Sequence, residues 1–334
     1  YNNATKKRGA KQAGMLNITE AIEGKDVVKK NKKQLIEEVE NKTLFTRMYP
    51  ESKLAVINAL KKKGEIVAML GDGVNDGPAL KAAHIGVAMG NKGTEIAKAA
   101  ASLVITNDDL DKLIVGIAAG RRIYSNLKKA IQYIISIHIP IILTVTLPLF
   151  LGWVFSHIFT PVHVIFLELV MGPTCSIVYE NEPLEKNIMK QKPRVMTETF
   201  LNWRELATSI IQGLAITLGV LFVYQWSVWF GGNEEKTRAL VFTTLIFANV
   251  FLSLVNRSFY YSIITCFKHK NILFPFVIGS TLFILLLILY VPALADFFKL
   301  TGLSLKEIII TLFVAAASVL WMEIYKWTKR RRFR

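Results

Sequence analysis

Asp72 and Asp76 stand four positions apart in the run Gly71-Asp72-Gly73-Val74-Asn75-Asp76-Gly77-Pro78, directly after the apolar stretch Ile66 to Leu70. Carboxylate oxygens are the hard ligands that magnesium prefers, completed by water and phosphate oxygens. Glycines at 71, 73 and 77 let the backbone approach a bound group closely. Lys53, upstream on a stretch of helical pattern, is placed to neutralise a phosphoryl group, the electrostatic help that phosphoryl transfer chiefly requires. The bland alternative is an acidic turn that caps the helix opened by Pro78, with Lys53 on a solvated face.

A second group of polar residues lies in apolar sequence. Glu168 is an acid well inside a stretch long enough to cross a bilayer, where an unpaired carboxylate is costly and marks an ion path. Pro140 and Pro148 each remove a backbone donor and so free the carbonyls of Ser136 and Thr144. His138 stands two residues before Pro140, and Gly172-Pro173-Thr174 follows Glu168 and can loosen its helix. Glu168, His138, Ser136 and Thr174 are therefore the candidate site for a cation crossing the membrane. A repaired proline kink and a buried, hydrogen-bonded histidine are the plain alternatives.

The elements that must position these residues follow from periodicity. Helical patterns cover Ala4 to Met15, Lys32 to Val39 and Pro50 to Lys63; strand patterns cover Leu44 to Arg47 and Ile66 to Leu70. Beyond the acidic turn come a short helix to Ala83, a strand at Ile85 to Met89, a helix around Thr94 to Ala100 and a strand at Ser102 to Thr106. Such alternation predicts an α/β domain with a parallel, Rossmann-type sheet, in which ligands gather at the carboxyl ends of the strands. From Asp109 a helix runs without a turn signal through Arg121, Arg122 and Lys128 into Ile131, so 1–125 reads as a soluble domain with a stalk and 126–334 as an all-α membrane domain.

Six apolar stretches reach the length of about 20 residues needed to span: 130–153, 159–179, 205–229, 237–256, 272–293 and 305–326. Lys128, Lys129, Lys186, Lys190, Lys192, Arg194, Arg204, Arg257, Lys268, Lys270 and the cluster from Lys326 to Arg334 share one side with the soluble domain. Lys236, Arg238, Lys299 and Lys306 share the other. That bias puts the soluble domain and the C-terminus in the cytoplasm of a multi-pass protein, expected in the plasma membrane. The net charge of +16 in 334 residues is thus topological, and no aromatic-interleaved basic face suggests nucleic acid. Cys175 and Cys266 suggest neither a disulfide framework nor a metal pair. The chain opens on Tyr1 with no cleavable signal, so it is expected to be a piece of a longer polypeptide.

Gly71-Asp72-Gly73-Val74-Asn75-Asp76-Gly77-Pro78-Ala79-Leu80 resembles the hinge motif of P-type ATPases, the cation pumps that phosphorylate themselves on aspartate. The likeness extends through Phe45-Thr46-Arg47, Pro50 and Lys53, through Ile85 to Gly90, and through Gly120 to Asn126. Six spans after the hinge suit the calcium-pump-like branch; copper and zinc pumps have two there. The resemblance implies a partial haloacid-dehalogenase-like domain. It further implies that Lys53 contacts the phosphoryl group, that Asp72 ligates magnesium, and that Asn75 and Asp76 organise the phosphorylation site, with Gly71 and Gly73 lining it. The cofactors implied are Mg2+ and ATP; the partners are the lipid bilayer, a transported cation and the remaining N-terminal part of the polypeptide. The Asp-Lys-Thr-Gly-Thr run that carries the phosphate in this family does not occur in the sequence. Nor does the calcium-ligand set carry over, because its positions fall on His138, Ile141, Glu168, Met171, Gly172 and Val255. Calcium wants six to eight oxygens, so one cation, or a proton on Glu168, fits better than a two-ion calcium site. A proton pump of the same class and a membrane-anchored haloacid-dehalogenase-type phosphatase remain the competing readings, with a non-catalytic remnant as a third.

Overall fold

The computed structural model describes residues 21–185, 188–194, 199–267 and 271–332. The chain divides into two units, 1–117 and 118–334, so the division falls within the expected stalk, ahead of residue 125. The predicted helix Ala4 to Met15, and Lys186, Lys268, Lys270 and Arg334 of the charge bias, lie outside the described residues.

In the first unit, β1 (Ala21–Glu23) pairs in parallel with β2 (Leu44–Thr46). β3 (Ala68–Gly71), β4 (Ile85–Met89) and β5 (Leu103–Ile105) form a second parallel sheet with β4 in the centre. The register sets Gly71 opposite Ala88 and Met89 opposite Ile105, which brings the ends of all three strands to one edge. The alternation thus gives parallel strands, as expected, but in two sheets: among the described residues no strand joins β2 to β3.

Helices α1 (Gly24–Lys29), α2 (Lys32–Asn41), α3 (Pro50–Lys62), α4 (Gly77–Ala82) and α5 (Glu95–Ala100) cover these strands. Asn31 and Gln34 start α2 reciprocally: Asn31 Oδ1 accepts from the Gln34 amide at 2.9 Å, and Gln34 Oε1 accepts from the Asn31 amide at 3.2 Å. Leu35 and Val39 of α2, four apart, bury the same face against Ile22, Val27, Val56 and Ala59. Gly86 of β4 is required by packing, because a Cβ there would lie 2.5 Å from the Leu80 carbonyl oxygen of α4. β1 and α1 carry no sequence signal, being too short for a period to register, yet Ile22 and Val27 are fully core residues.

The second unit is helical. α6 (Asp111–Phe150) runs unbroken through Pro140 and Pro148, followed by α7 (Pro161–Pro173), α8 (Trp203–Trp229) and α9 (Glu234–Val255). Short α10 (Ile263–Phe267), then α11 (Leu273–Tyr290), short α12 (Pro292–Phe298) and α13 (Leu305–Arg332) complete it. Six of these segments are long and apolar enough to span a membrane. The span of α9 is 78% buried, against 22–44% for the other five, so α9 is the centre of the bundle and the rest present apolar faces outward. Tyr133, Leu167, Ile216, Tyr224, Phe242, Leu252 and Val319 pack into the shared core. Below Gly172-Pro173 the α-helix gives way to a wider turn, Thr174–Tyr179, of the π type that often marks functional positions. The loosening expected from that tripeptide is therefore present.

Candidate functional site

The acidic turn forms where β3 stops. Gly71, the last strand residue, faces the Asp76 side chain so closely that a Cβ would lie 2.6 Å from Asp76 Cβ; only glycine lets the turn close. The chain then makes a single 3-10 turn, Val74–Asp76, which places the Asp76 carboxylate under the backbone it has just left. Asp76 Oδ2 accepts from the amides of Asp72 and Gly73, both at 3.3 Å, while Lys53 Nζ donates to Asp76 Oδ1. Lys53 reaches it from the first turn of α3, which Pro50 opens and Ser52 ties to Tyr49. Asp76 is buried, with 8% of its side chain exposed, and Lys53 keeps 30%. Burial alone raises the carboxyl pKa of Asp76, but the Lys53 hydrogen bond and charge and the two amides outweigh it and hold the group below the ordinary aspartate value.

Asp72 and Asn75, in contrast, are both exposed. The Asp72 carboxylate has no hydrogen-bond or ion-pair partner among the described residues, while its backbone carbonyl accepts from the Thr94 amide at 2.8 Å. The loop carrying Thr94 is itself anchored: Asp108, in the left-handed region at φ 57°, accepts from the amides of Asn91 and Lys92 at 3.0 Å each. Thr94 and Asp108 are positioning residues that the sequence pattern did not single out; a strand-end loop rich in Gly and Asn beside the acidic turn was the available signal. Gly73 has room for a Cβ, so packing within the chain does not require glycine there.

The two aspartates are therefore not equivalent. Asp76 is committed to Lys53 and two amides, and Asp72 presents hard oxygens that meet no partner among the described residues. A carboxylate of that kind fits magnesium, which takes one or two protein carboxylates and completes its shell with water and phosphate. No cluster of three or more acidic, His or Cys side chains that could hold a metal ion occurs among the described residues.

In the second unit, His138 of α6 and Glu168 of α7 meet, with Nε2 3.1 Å from Oε1 and side chains 38% and 49% exposed. His138 Nδ1 also lies 2.8 Å from the Ile134 carbonyl oxygen. Ser136 is turned elsewhere: fully buried, its hydroxyl donates to the Gln132 carbonyl at 2.8 Å and to Gln212 Oε1 at 3.3 Å. Two positions along a helix are about 200° apart, which is why Ser136 and His138 cannot share a face. Thr174 is buried and donates to the Val170 carbonyl at 3.4 Å. The four expected residues thus divide into one contacting pair and two hydroxyls held by their own surroundings. Missed by the sequence reading was a buried polar centre in which Tyr133 donates to Asn249 Oδ1 and Gln212 Nε2 donates to Asn256 Oδ1 at 3.0 Å. Uncharged polar residues inside apolar stretches give no sharp sequence signal.

Residues 156–328 match the family model described as the C-terminus of cation-transporting ATPases, and residues 2–84 match that of haloacid dehalogenase-like hydrolases. Among curated proteins, the chain is 32% identical over 94% of its length to a calcium-transporting ATPase of Listeria monocytogenes, covering 35% of that protein. It is 30% identical over 96% of its length to calcium-transporting ATPase 1 of Bacillus cereus, covering 38%. Against the human calcium-transporting ATPase type 2C member 1 it is 27% identical over 97% of its length, covering 35%. The chain thus spans about a third of the length of the curated relatives it matches. With the acidic turn in an α/β unit and six membrane-spanning helices behind it, this multi-pass membrane chain belongs to the P-type cation-transporting ATPases.

Proposed function

We propose that the chain works as part of a longer polypeptide that couples formation and hydrolysis of an aspartyl phosphate, drawn from ATP, to movement of a cation across a membrane. The observation that carries this reading is the Lys53–Asp76 pair, which holds the turn so that Asp72 stands free at the strand end. Lys53 contributes a positive charge and Asp76 fixes its position; Asn75 supplies an exposed amide beside them. Asp72 would hold magnesium, which when bound supplies neutralising charge to phosphoryl oxygens. An aspartate to be phosphorylated and most of a nucleotide site would come from the rest of the polypeptide. The isolated 334-residue chain, incubated with ATP, is expected to form no acid-stable phosphoenzyme; its appearance would overturn the division of labour.

Within the membrane the His138–Glu168 pair supports a single-cation site. Calcium is the first ion to test, because the relatives are named calcium-transporting ATPases. A proton carried on Glu168 is the second reading, supported by a carboxylate standing inside an apolar span, where ionisable groups mark ion and proton paths. The bias of Lys and Arg supports a cytoplasmic α/β unit and C-terminus, and a plasma-membrane location is proposed with it. In the full-length protein, Glu168→Gln is expected to abolish ion-stimulated ATP hydrolysis, measured across calcium, sodium, potassium, manganese and pH. Unchanged stimulation by every ion would eliminate Glu168 as the site.

A further inference from the structure

A cavity of about 830 Å3 opens in the second unit between α6 and the segment that leads into α8. Its wall carries Arg121, Lys128, Lys192 and Arg194 against one acid, Glu185. Two charges are already neutralised: Glu185 is held by Lys129 at 2.8 Å, and Lys128 pairs with Glu205 at 2.7 Å. Arg121 is anchored without a counter-charge, donating through Nη1 to the carbonyls of Ile188 at 2.6 Å and Gln191 at 2.9 Å. Arg194 lies over the Tyr124 ring, 4.7 Å from its centre, and donates to the Tyr124 hydroxyl at 2.7 Å. Lys192 has no partner among the described residues. Among the described residues, none of these three cations meets a carboxylate. Two guanidinium groups are therefore held in place with donors to spare, beside a free ammonium, in a concavity that repels cations and suits a phosphate group.

The cavity also has a position relative to the bilayer. Asn202 on its wall caps α8, and the next residue, Trp203, opens a membrane-spanning helix with 77% of its surface exposed. Exposed tryptophan at the end of a span sits at the head-group level. We propose that this cavity binds a phosphate-bearing anion, presented either by an acidic lipid head group or by a free phosphate compound. Nothing in the phosphorylation or ion-transport reading requires it.

The full chain in detergent micelles, offered phosphatidylglycerol or phosphatidylcholine and analysed by native mass spectrometry, tests the proposal, with inorganic phosphate as competitor. Retention of phosphatidylglycerol over phosphatidylcholine is expected, and the double variant Lys192→Gln/Arg194→Gln should weaken it about thirty-fold, as two basic groups at a membrane surface would. Retention that resists phosphate assigns the lipid source; displacement by phosphate assigns the free anion. Equal retention of both lipids with no phosphate binding, or an unaffected double variant, overturns the site. Should the double variant lower the melting temperature, Lys192→Glu alone replaces it, because Lys192 makes no hydrogen bond or ion pair among the described residues. Undiminished phosphatidylglycerol binding by that variant overturns the site equally.

Discussion

Asp76 and Lys53 show how one ion pair divides the labour of a turn. A carboxylate that takes two amides and an ammonium is locked, while the Asp72 carboxylate meets no partner among the described residues. Lys53→Met removes the charge but keeps the stem, so Asp76 stays buried without its cation. Loss of a charged hydrogen bond of this half-buried kind costs about 1–3 kcal/mol. Hydrogen exchange of the peptide containing Asp72 and Gly73 is expected to accelerate accordingly. The pH dependence has a definite sign. Because the folded carboxyl of Asp76 lies below the ordinary value of 3.8, its stabilisation is fully present above that value and disappears as pH falls through the lowered folded one. Exchange protection in the wild-type turn should therefore hold from neutrality to about pH 5 and fail only under stronger acid. In Asp76→Asn that acid-dependent step should be missing. A protection loss near pH 6–7 in the wild type would contradict the assignment.

At the scale of elements, the sheet edge is set by close approaches rather than by strand length. Gly86→Ala would push β4 from α4, and overpacking of this kind costs about 1–3 kcal/mol. Its expected effect is a lower urea midpoint for the α/β unit, followed by hydrogen exchange of β4, with α9 unchanged; a midpoint equal to wild type would mean that the contact relaxes freely. Much of this architecture was legible beforehand. Ile85 to Met89 reads as a strand and is one at the same limits, because a buried central strand is continuously apolar and bounded by turn residues. The helices of the bundle likewise follow from their apolar lengths. What stayed hidden had no period to betray it: three-residue β1, the separation of the strands into two sheets, and the Tyr133–Asn249 contact between helices distant in sequence. Glu168 was legible as a candidate because a charge in an apolar span is conspicuous, and it meets His138. That Ser136 turns to Gln132 and Gln212 was not legible, because proline identifies a freed carbonyl and says nothing about which face the serine hydroxyl takes.

For the whole molecule, the distribution of burial along α6 bears on how the proposed hydrolysis would be coupled to the proposed transport. From Asp111 to Ser125 the helix has no buried side chain; burial begins at Asn126, which donates to the Glu182 carbonyl at 2.9 Å, and continues at Lys129 and Tyr133. The first part is a helix without buried side chains, tied outward near its end by Arg121 to the carbonyls of Ile188 and Gln191 and by Tyr124 to Arg194, and the second is held by the bundle. Helices with that division of support transmit displacement as long as the unsupported part stays helical. Glycine costs about 1 kcal/mol per residue in a helix interior relative to alanine, so Ala118→Gly with Ala119→Gly, beside the natural Gly116 and Gly120, weakens that part without touching a buried residue. In the full-length protein this double variant is expected to keep hydrolysing ATP while moving fewer ions per ATP, measured in vesicles as ion uptake against phosphate release. The Lys53→Met variant should instead lower both together, because it acts at the acidic turn of the proposed phosphorylation site. If the glycine variant keeps the wild-type ratio of uptake to hydrolysis, α6 does not carry the coupling.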